Sequence, residues 1–108
     1  MSNAVKQQDS VTIKPDTDVV ASMANAFRTE LKGLIDEGAR AVTIDLAGVQ
    51  MVDSVGLGVF IATHNTLNQS GGRLTVSNAS DDIVALFKTM RLDQHFTVLQ
   101  TEKETCHE

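Results

Sequence analysis

The sequence is poor in the residues that build disulfides, thiolate metal sites and base-stacking surfaces. It contains one cysteine, Cys106, and it has no tryptophan and no tyrosine. A single cysteine permits no internal disulfide and no multi-thiolate metal centre, which favours a reducing compartment, so we expect a cytoplasmic protein. The four phenylalanines are too apolar and too widely spaced to form a platform for stacked bases.

Basic residues are also scarce, and no part of the chain is rich in them. There are 9 Lys and Arg against 14 Asp and Glu, which gives a formal net charge of −5. The basic residues occur singly, so no basic stripe could follow a phosphate backbone, and we expect no direct binding of nucleic acid. No apolar run approaches the roughly 18 residues of a spanning helix, and no signal segment opens the chain, so we expect no membrane insertion.

The remaining composition is that of one globular domain. Of the 108 residues, 42% are hydrophobic and 21% are charged, which is close to the average of folded domains. Residues 1–9 are polar and lack periodicity, so we expect a disordered N-terminus there. We expect the domain to span residues 10–100 and the charged segment 101–108 to be a flexible C-terminal tail.

Apolar residues alternate along the domain between the periods of strands and of helices. Residues 11–14, 41–46, 73–77 and 96–99 have strand character. Between them, apolar residues recur at helical spacing, first at Val20, Met23, Phe27, Leu31 and Leu34. Such alternation implies parallel strands joined by right-handed crossovers. The sequence therefore predicts a single α/β domain with a mixed, mostly parallel sheet of about four strands and three to four helices.

Residues 51–60 carry the strongest candidate for a functional site. Gly56 and Gly58 lie in the first turns of a well-patterned helix, where each costs about 1 kcal/mol relative to alanine. A bare backbone there would leave the helix N-terminus open to another molecule, with the Ser54 hydroxyl beside unpaired N–H groups. The simpler interpretation is that Ser54 only caps the helix and that the glycines only allow it to pack on the sheet.

Two kinds of enzyme site are weakly supported at this segment. The G-x-G at residues 56–58 begins a dinucleotide-binding turn, but Ile61 occupies the third glycine position. A nucleophilic Ser54 would need a base, and G-x-S-x-G is absent because Val52 replaces the leading glycine. His64 would lie about 15 Å further along the same helix, out of hydrogen-bonding reach. We therefore predict no catalytic residue and no enzymatic activity. A third interpretation of the segment, beside the simpler one of helix capping, is that a partner kinase modifies Ser54.

Motifs for metals and cofactors are absent from the sequence. His95 and His107 have no Cys, Asp or Glu partners at recurring metal-ligand spacing, and His64 is expected at the edge of an apolar helix face. We expect no metal and no cofactor. Asp81 and Asp82 fit the first turn of a helix, where acidic side chains are favoured, or an acidic partner surface near the candidate serine.

The run D-S-V-G-L-G at residues 53–58, after the strand at residues 42–46 and a short loop, resembles the signature of the STAS family. The similarity extends from about Val11 to Leu99. Within the family, the sequence is most similar to bacterial anti-sigma factor antagonists, also called anti-anti-sigma factors. That resemblance implies phosphorylation of Ser54 by the cognate anti-sigma factor, a serine kinase, and control of sigma-factor-dependent transcription. A phosphatase is a further implied partner.

The resemblance also implies a partner-binding surface and shows two departures from the family pattern. The implied partner-binding residues are Asp53, Ser54, Val55, Gly56, Leu57 and Gly58. Family members usually begin with a two-strand hairpin and a glycine before the first helix. Here only residues 11–14 have strand character, and residues 15–18 stand where the glycine-containing segment would be. Such shortening resembles STAS proteins of chemotaxis systems or of lipid-transport ABC complexes. The alternative function is therefore a protein-interaction subunit in which Ser54 need not be phosphorylated.

Overall fold

The computed structural model describes residues 3–7 and 9–100 as five strands, three α-helices and a short 3₁₀ helix. After the first two strands, strands and helices alternate, as the periodicity of the sequence predicts. In chain order the elements are β1 (Asn3–Gln7), β2 (Ser10–Lys14), α1 (Ala21–Asp36), β3 (Ala41–Asp45), α2 (Ser54–Gln69), β4 (Arg73–Ala79), α3 (Asp81–Thr89), the 3₁₀ helix (Leu92–Gln94) and β5 (Thr97–Gln100).

The five strands form one sheet in which chain neighbours are also neighbours in space. β1 pairs antiparallel with β2, whereas β2, β3, β4 and β5 are parallel to one another. Because every crossover steps to the next strand in the same direction and crossovers are right-handed, α1, α2 and α3 cover the same face of the sheet. The α/β class and the mixed, mostly parallel sheet are thus confirmed.

The two faces of the sheet carry different side chains. On the helix-covered face, Ile13 of β2, Ile44 of β3 and Val76 of β4 are fully buried at paired positions. The opposite face has a row of threonines at the next paired positions, namely Thr12, Thr43, Thr75 and Thr97. This alternation of apolar and polar residues is that of a sheet covered on one side, so the domain has two layers.

The strand β1 corrects one expectation about the N-terminus. Residues 1–9 were expected to be disordered, but residues 3–7 pair with β2 over its whole length, from Asn3 opposite Lys14 to Gln7 opposite Ser10. The sheet therefore has five strands rather than about four. β1 and β2 form the two-strand hairpin that was expected to be missing. An edge strand is held by backbone hydrogen bonds, so the sequence NAVKQ needs no apolar alternation. The predicted tail at 101–108 lies outside the described residues.

The core lies between the sheet and the three helices. Phe60 of α2 meets Phe87 of α3 edge to face, with ring centroids 5.7 Å apart, and Phe87 meets Phe96 in the same way at 5.8 Å. Phe60 and Phe87 are fully buried. Edge-to-face pairs stabilise a core beyond the area they bury, so this aromatic series joins α2, α3 and the segment that enters β5.

The helices begin in different ways. Ser80 caps α3, because its hydroxyl accepts a hydrogen bond from the backbone N–H of Ile83 at 3.3 Å. The N-cap of α1 is Val20, which has no capping oxygen in its side chain, so the start of α1 depends on a residue from elsewhere in the chain. In the part of the chain that the structure describes, no helix is long and apolar enough to cross a membrane.

Candidate functional site

The start of α2 lies at the carboxyl end of the parallel strands, beside the start of α1. The segment before α1 and the segment before α2 run side by side, joined by a parallel bridge between Val19 and Val52. The N–H of Val19 donates to the carbonyl of Met51 at 3.0 Å, and the N–H of Asp53 donates to the carbonyl of Val19 at 3.2 Å. These hydrogen bonds hold the starts of α1 and α2 together at the carboxyl ends of the parallel strands.

Asp18 reinforces the contact between the two segments. One oxygen of its carboxylate accepts hydrogen bonds from the backbone N–H groups of Gln50 (3.0 Å) and Met51 (3.2 Å). Asp18 lies 32 and 33 residues away from these partners in the sequence, so only the fold reveals that this residue positions the segment before Ser54.

Asp53 caps two helices at once. Its Oδ1 accepts from the N–H of Gly56 in α2 at 2.8 Å, and its Oδ2 accepts from the N–H of Ala21 in α1 at 2.9 Å. The hydrogen bond from Gly56, followed by that from Ala21, lowers the pKa of the Asp53 carboxyl below its ordinary value of 3.8. Asp53 is therefore ionised at neutral pH, and its carboxylate is occupied in joining α1 to α2.

Ser54 is the first residue of α2 and is exposed. Because Asp53 is the N-cap, the interpretation that Ser54 only caps the helix is wrong. Among residues 3–7 and 9–100, its hydroxyl has no hydrogen-bond partner. Exposed apolar side chains stand on either side of it in the chain, since Met51 is 57% and Val55 is 43% exposed. The site thus presents a free hydroxyl in an apolar surround.

The two glycines of this segment have different roles. Gly56 is buried, and a Cβ atom there would collide with the carbonyl oxygen of Val19. A Cβ on Gly58 would meet nothing within 4 Å. The expectation that both glycines keep the helix start open is therefore wrong for Gly56, which instead allows the backbone of α2 to approach the segment before α1.

Burial also revises the list of partner-binding residues implied by the sequence. Gly56 and Leu57 are buried and expose little surface to a partner. α2 contains no Asp, Glu, Lys or Arg. Its exposed positions are small or apolar from Ser54 to Ala62 and polar from His64 onward. We define the α2 surface as the exposed or half-exposed residues of the first part of α2 together with Met51, namely Met51, Ser54, Val55, Gly58, Ile61 and Ala62.

The other polar residues singled out in the sequence lie away from Ser54 or at another helix start. His64 belongs to the same helix, and at 1.5 Å per residue it lies about 15 Å from Ser54 along the axis. Asp81 and Asp82 occupy the first turn of α3, as expected for acidic residues at a helix start. Within the described ranges, no group of three or more His, Cys, Asp or Glu residues could hold a metal ion.

Comparisons with known proteins give the family. The sequence model of the STAS domain matches residues 2–105. The anti-sigma-B factor antagonist of Bacillus subtilis (strain 168) is 36% identical over 86 residues, which cover 77% of this chain and 76% of the relative.

Two solved structures share the fold. A crystal structure from Thermotoga maritima has a TM-score of 0.87 at 19% identity, and the match covers 93% of this chain and 86% of the Thermotoga chain. The unphosphorylated form of the anti-sigma factor antagonist SpoIIAA of Bacillus has a TM-score of 0.75 at 17% identity, with coverages of 96% and 91%. At such identities the two structures show the fold alone, whereas the sequence matches show the family. The chain belongs to the STAS domain family.

Proposed function

We propose that this protein is an anti-sigma factor antagonist that binds a cognate anti-sigma factor through the α2 surface. In this proposal the anti-sigma factor is also a serine kinase, and its transfer of phosphate to Ser54 ends the complex. The protein acts by binding and catalyses no reaction itself, and it controls sigma-factor-dependent transcription in the cytoplasm. A phosphatase restores the binding form by removing the phosphate.

The observation that carries the proposal is the position of Ser54. A hydroxyl that caps a helix is engaged by backbone N–H groups, but here Asp53 takes that role and the Ser54 hydroxyl is free and exposed. The hydroxyl can therefore enter the active site of a kinase without any change in α2. The sequence match to an anti-sigma-B factor antagonist supports the same role.

The fold can accept a phosphate at this position. A phosphoserine adds nearly two negative charges, and the first turn of α2 favours an anion through its dipole. The phosphorylated form of SpoIIAA superposes on this chain with a TM-score of 0.74, against 0.75 for its unphosphorylated form. A relative with this fold therefore keeps it when it is phosphorylated, and we expect the same here.

A partner bound to the α2 surface would not accept the phosphate. Binding would desolvate a dianion among the apolar side chains of Met51 and Val55, beside the ionised carboxylate of Asp53. A penalty of about 3 kcal/mol lowers affinity roughly a hundredfold. Charge and desolvation at the interface are thus sufficient for a switch.

The proposal is tested with the protein and the anti-sigma factor of the same organism. Ser54→Ala should abolish phosphate transfer from ATP and keep full affinity, whereas Ser54→Asp should fold but bind about a hundredfold more weakly. Ser70→Ala removes another exposed serine at the far end of α2 and is the matched control, expected to behave like the wild type. Equal affinity of the phosphorylated and unmodified proteins, measured by titration, would refute the switch.

The alternative is a subunit of a chemotaxis system or a lipid-transport ABC complex. It was suggested by the missing hairpin and by the missing glycine before the first helix. β1 and β2 form the hairpin, whereas the segment before α1 contains no glycine. Affinity purification from the native cell separates the two functions. A co-purifying serine kinase would favour the anti-sigma factor antagonist, and a co-purifying transport ATPase or chemotaxis protein would favour the alternative.

A further inference from the structure

Two histidines that are far apart in the sequence meet on the surface of the fold. His64 lies on α2, and His95 directly follows the 3₁₀ helix. Their ring centroids are 6.0 Å apart with the ring planes at 50°, and the ring of Phe96 lies 5.8 Å from that of His64. Spacing along the chain gave no reason to pair these residues, so the pair is a product of the tertiary structure.

The separation of the rings suits a shared metal ion. Bonds of about 2.1 Å from zinc to nitrogen place each imidazole centroid about 3.2 Å from the metal. Two imidazoles on one ion therefore have centroids about 5 Å apart at a tetrahedral angle and at most about 6.4 Å apart. The observed 6.0 Å lies inside this range. It corresponds to a nitrogen–metal–nitrogen angle of about 140°, so the two rings must approach each other by roughly 1 Å to reach the tetrahedral angle. Imidazole is the commonest protein ligand for zinc, nickel and copper.

The space beside the two rings can hold the rest of a coordination shell. A cavity of about 220 Å³ is lined by Ile61, His64, Asn65, Leu92, His95 and Phe96. None of these residues is an Asp, Glu, Lys or Arg, and the Asn65 side chain offers an amide oxygen. A water molecule takes about 30 Å³, so several waters fit. A second cavity, of about 240 Å³, shares His64, His95 and Phe96 with the first and is also lined by Arg73.

We propose that His64 and His95 form a binding site for a borderline divalent metal such as Zn²⁺, Ni²⁺ or Cu²⁺, completed by water in the cavity beside Asn65. Hard cations such as Mg²⁺ and Ca²⁺ prefer oxygen ligands and are not bound. The metal connects α2 to the segment that leads into β5. It stabilises the fold because it binds the folded protein, where the two imidazoles are close together, more tightly than the unfolded chain. The cavity beside the two histidines shares only Ile61 with the α2 surface, and the proposal does not depend on the function proposed above.

The experiment uses the full chain without an affinity tag, in a Cys106→Ser, His107→Gln background that removes other thiol and imidazole ligands. Zn²⁺ is titrated while the side-chain nitrogens of His64 and His95 are followed by NMR, and melting is recorded with Zn²⁺, with Mg²⁺ and after addition of EDTA. We expect both imidazoles to shift together. We also expect the melting temperature to rise with Zn²⁺, to return with EDTA and to be unaffected by Mg²⁺.

His64→Gln and His95→Gln are the two variants that decide the proposal. Each should weaken Zn²⁺ binding about tenfold or more and reduce the rise in melting temperature. A Zn²⁺ effect that is the same in both variants as in their parent would overturn the proposal. If the far-UV circular dichroism spectrum shows that a variant is unfolded, the NMR signals of the two imidazoles in the parent protein decide instead. Signals that do not change at saturating Zn²⁺ would also overturn the proposal.

Discussion

Asp53 shows how one side chain can connect the fold to the site. Its two carboxylate oxygens accept hydrogen bonds from the starts of two helices, from Gly56 in α2 and from Ala21 in α1. The Asp53 side chain, directly before Ser54 in the chain, thus fixes how the starts of α1 and α2 lie relative to each other. We therefore expect an Asp53 substitution to shift the start of α2, where Ser54 lies.

The lowered pKa of Asp53 predicts a pH dependence of stability. A carboxyl whose pKa is lower in the folded than in the unfolded state stabilises the fold above its unfolded pKa, and this contribution is lost as pH falls through the folded pKa. The wild type should therefore be more stable than Asp53→Asn at pH 7, and the difference should shrink below about pH 3.8, the ordinary value of this carboxyl. The measurement is urea denaturation at several pH values, followed by circular dichroism.

A control separates this effect from general loss of negative charge. Asp36→Asn removes an exposed ion pair in which Nζ of Lys32 lies 3.2 Å from Oδ2 of Asp36. Such surface pairs contribute little to the free energy of unfolding. A stability profile against pH that is the same for Asp53→Asn and Asp36→Asn would contradict the role assigned to Asp53.

The two glycines of the motif give a matched pair of substitutions. Gly56→Ala should destabilise the protein by about 1–3 kcal/mol, because the new methyl group collides with the carbonyl of Val19 and the backbone must shift. Gly58→Ala meets open space and gains helix propensity, so it should be equally stable or more stable by up to about 1 kcal/mol. Chemical denaturation of both variants checks this, and equal losses would show that the position of Gly56 is not close-packed.

At the scale of elements, β1 is the part of the fold that composition could not reveal. It covers the edge of β2, whose backbone groups would otherwise be open to pairing with another chain. Removal of residues 1–8 should lower the free energy of unfolding and promote self-association through β2. Light scattering and denaturation would detect both effects. Removal of residues 101–108 is the comparison truncation, and an equally small effect of both truncations would argue against a role for β1.

The element α2 combines two surfaces of different purpose. Its inner face, with Leu57, Val59, Phe60 and Leu67, is buried against the sheet and the other helices. Its outer face carries no charge, which is unusual for an exposed helix, where charged residues normally occupy the outer positions. An uncharged outer face beside a free serine hydroxyl is consistent with a surface that is covered by a partner in one state and free in another.

At the scale of the molecule, one core joins all the layers, so we expect cooperative unfolding. Phe87 is fully buried between Phe60 and Phe96, and Phe87→Ala should cost about 3–5 kcal/mol. That is a large part of the 5–15 kcal/mol typical of a domain. Because the chain has no Trp or Tyr, far-UV circular dichroism in urea is the suitable measurement. Phe87→Leu should lower the free energy of unfolding by less than Phe87→Ala does. A loss below about 1 kcal/mol for Phe87→Ala would contradict the importance of this ring to the core.

The sequence by itself determined the α/β class, the order of the elements after β1 and the position of Ser54 at the start of a helix. These features depend on residues within a few positions of one another, such as the apolar spacing of α1 or the glycines after Ser54. Hydrophobic periodicity and helix-start chemistry act over that range, so they can be recognised without the fold.

The tertiary structure decided the features that join distant parts of the chain. The second hydrogen-bond partner of Asp53 is Ala21, 32 residues away, and the collision that excludes a side chain at Gly56 is with Val19. The pairing of β1 and the approach of His64 to His95 are of the same kind. Each of these contacts depends on which faces of the helices and strands pack together. The packing minimises the free energy of the whole core, so a short stretch of sequence does not determine it.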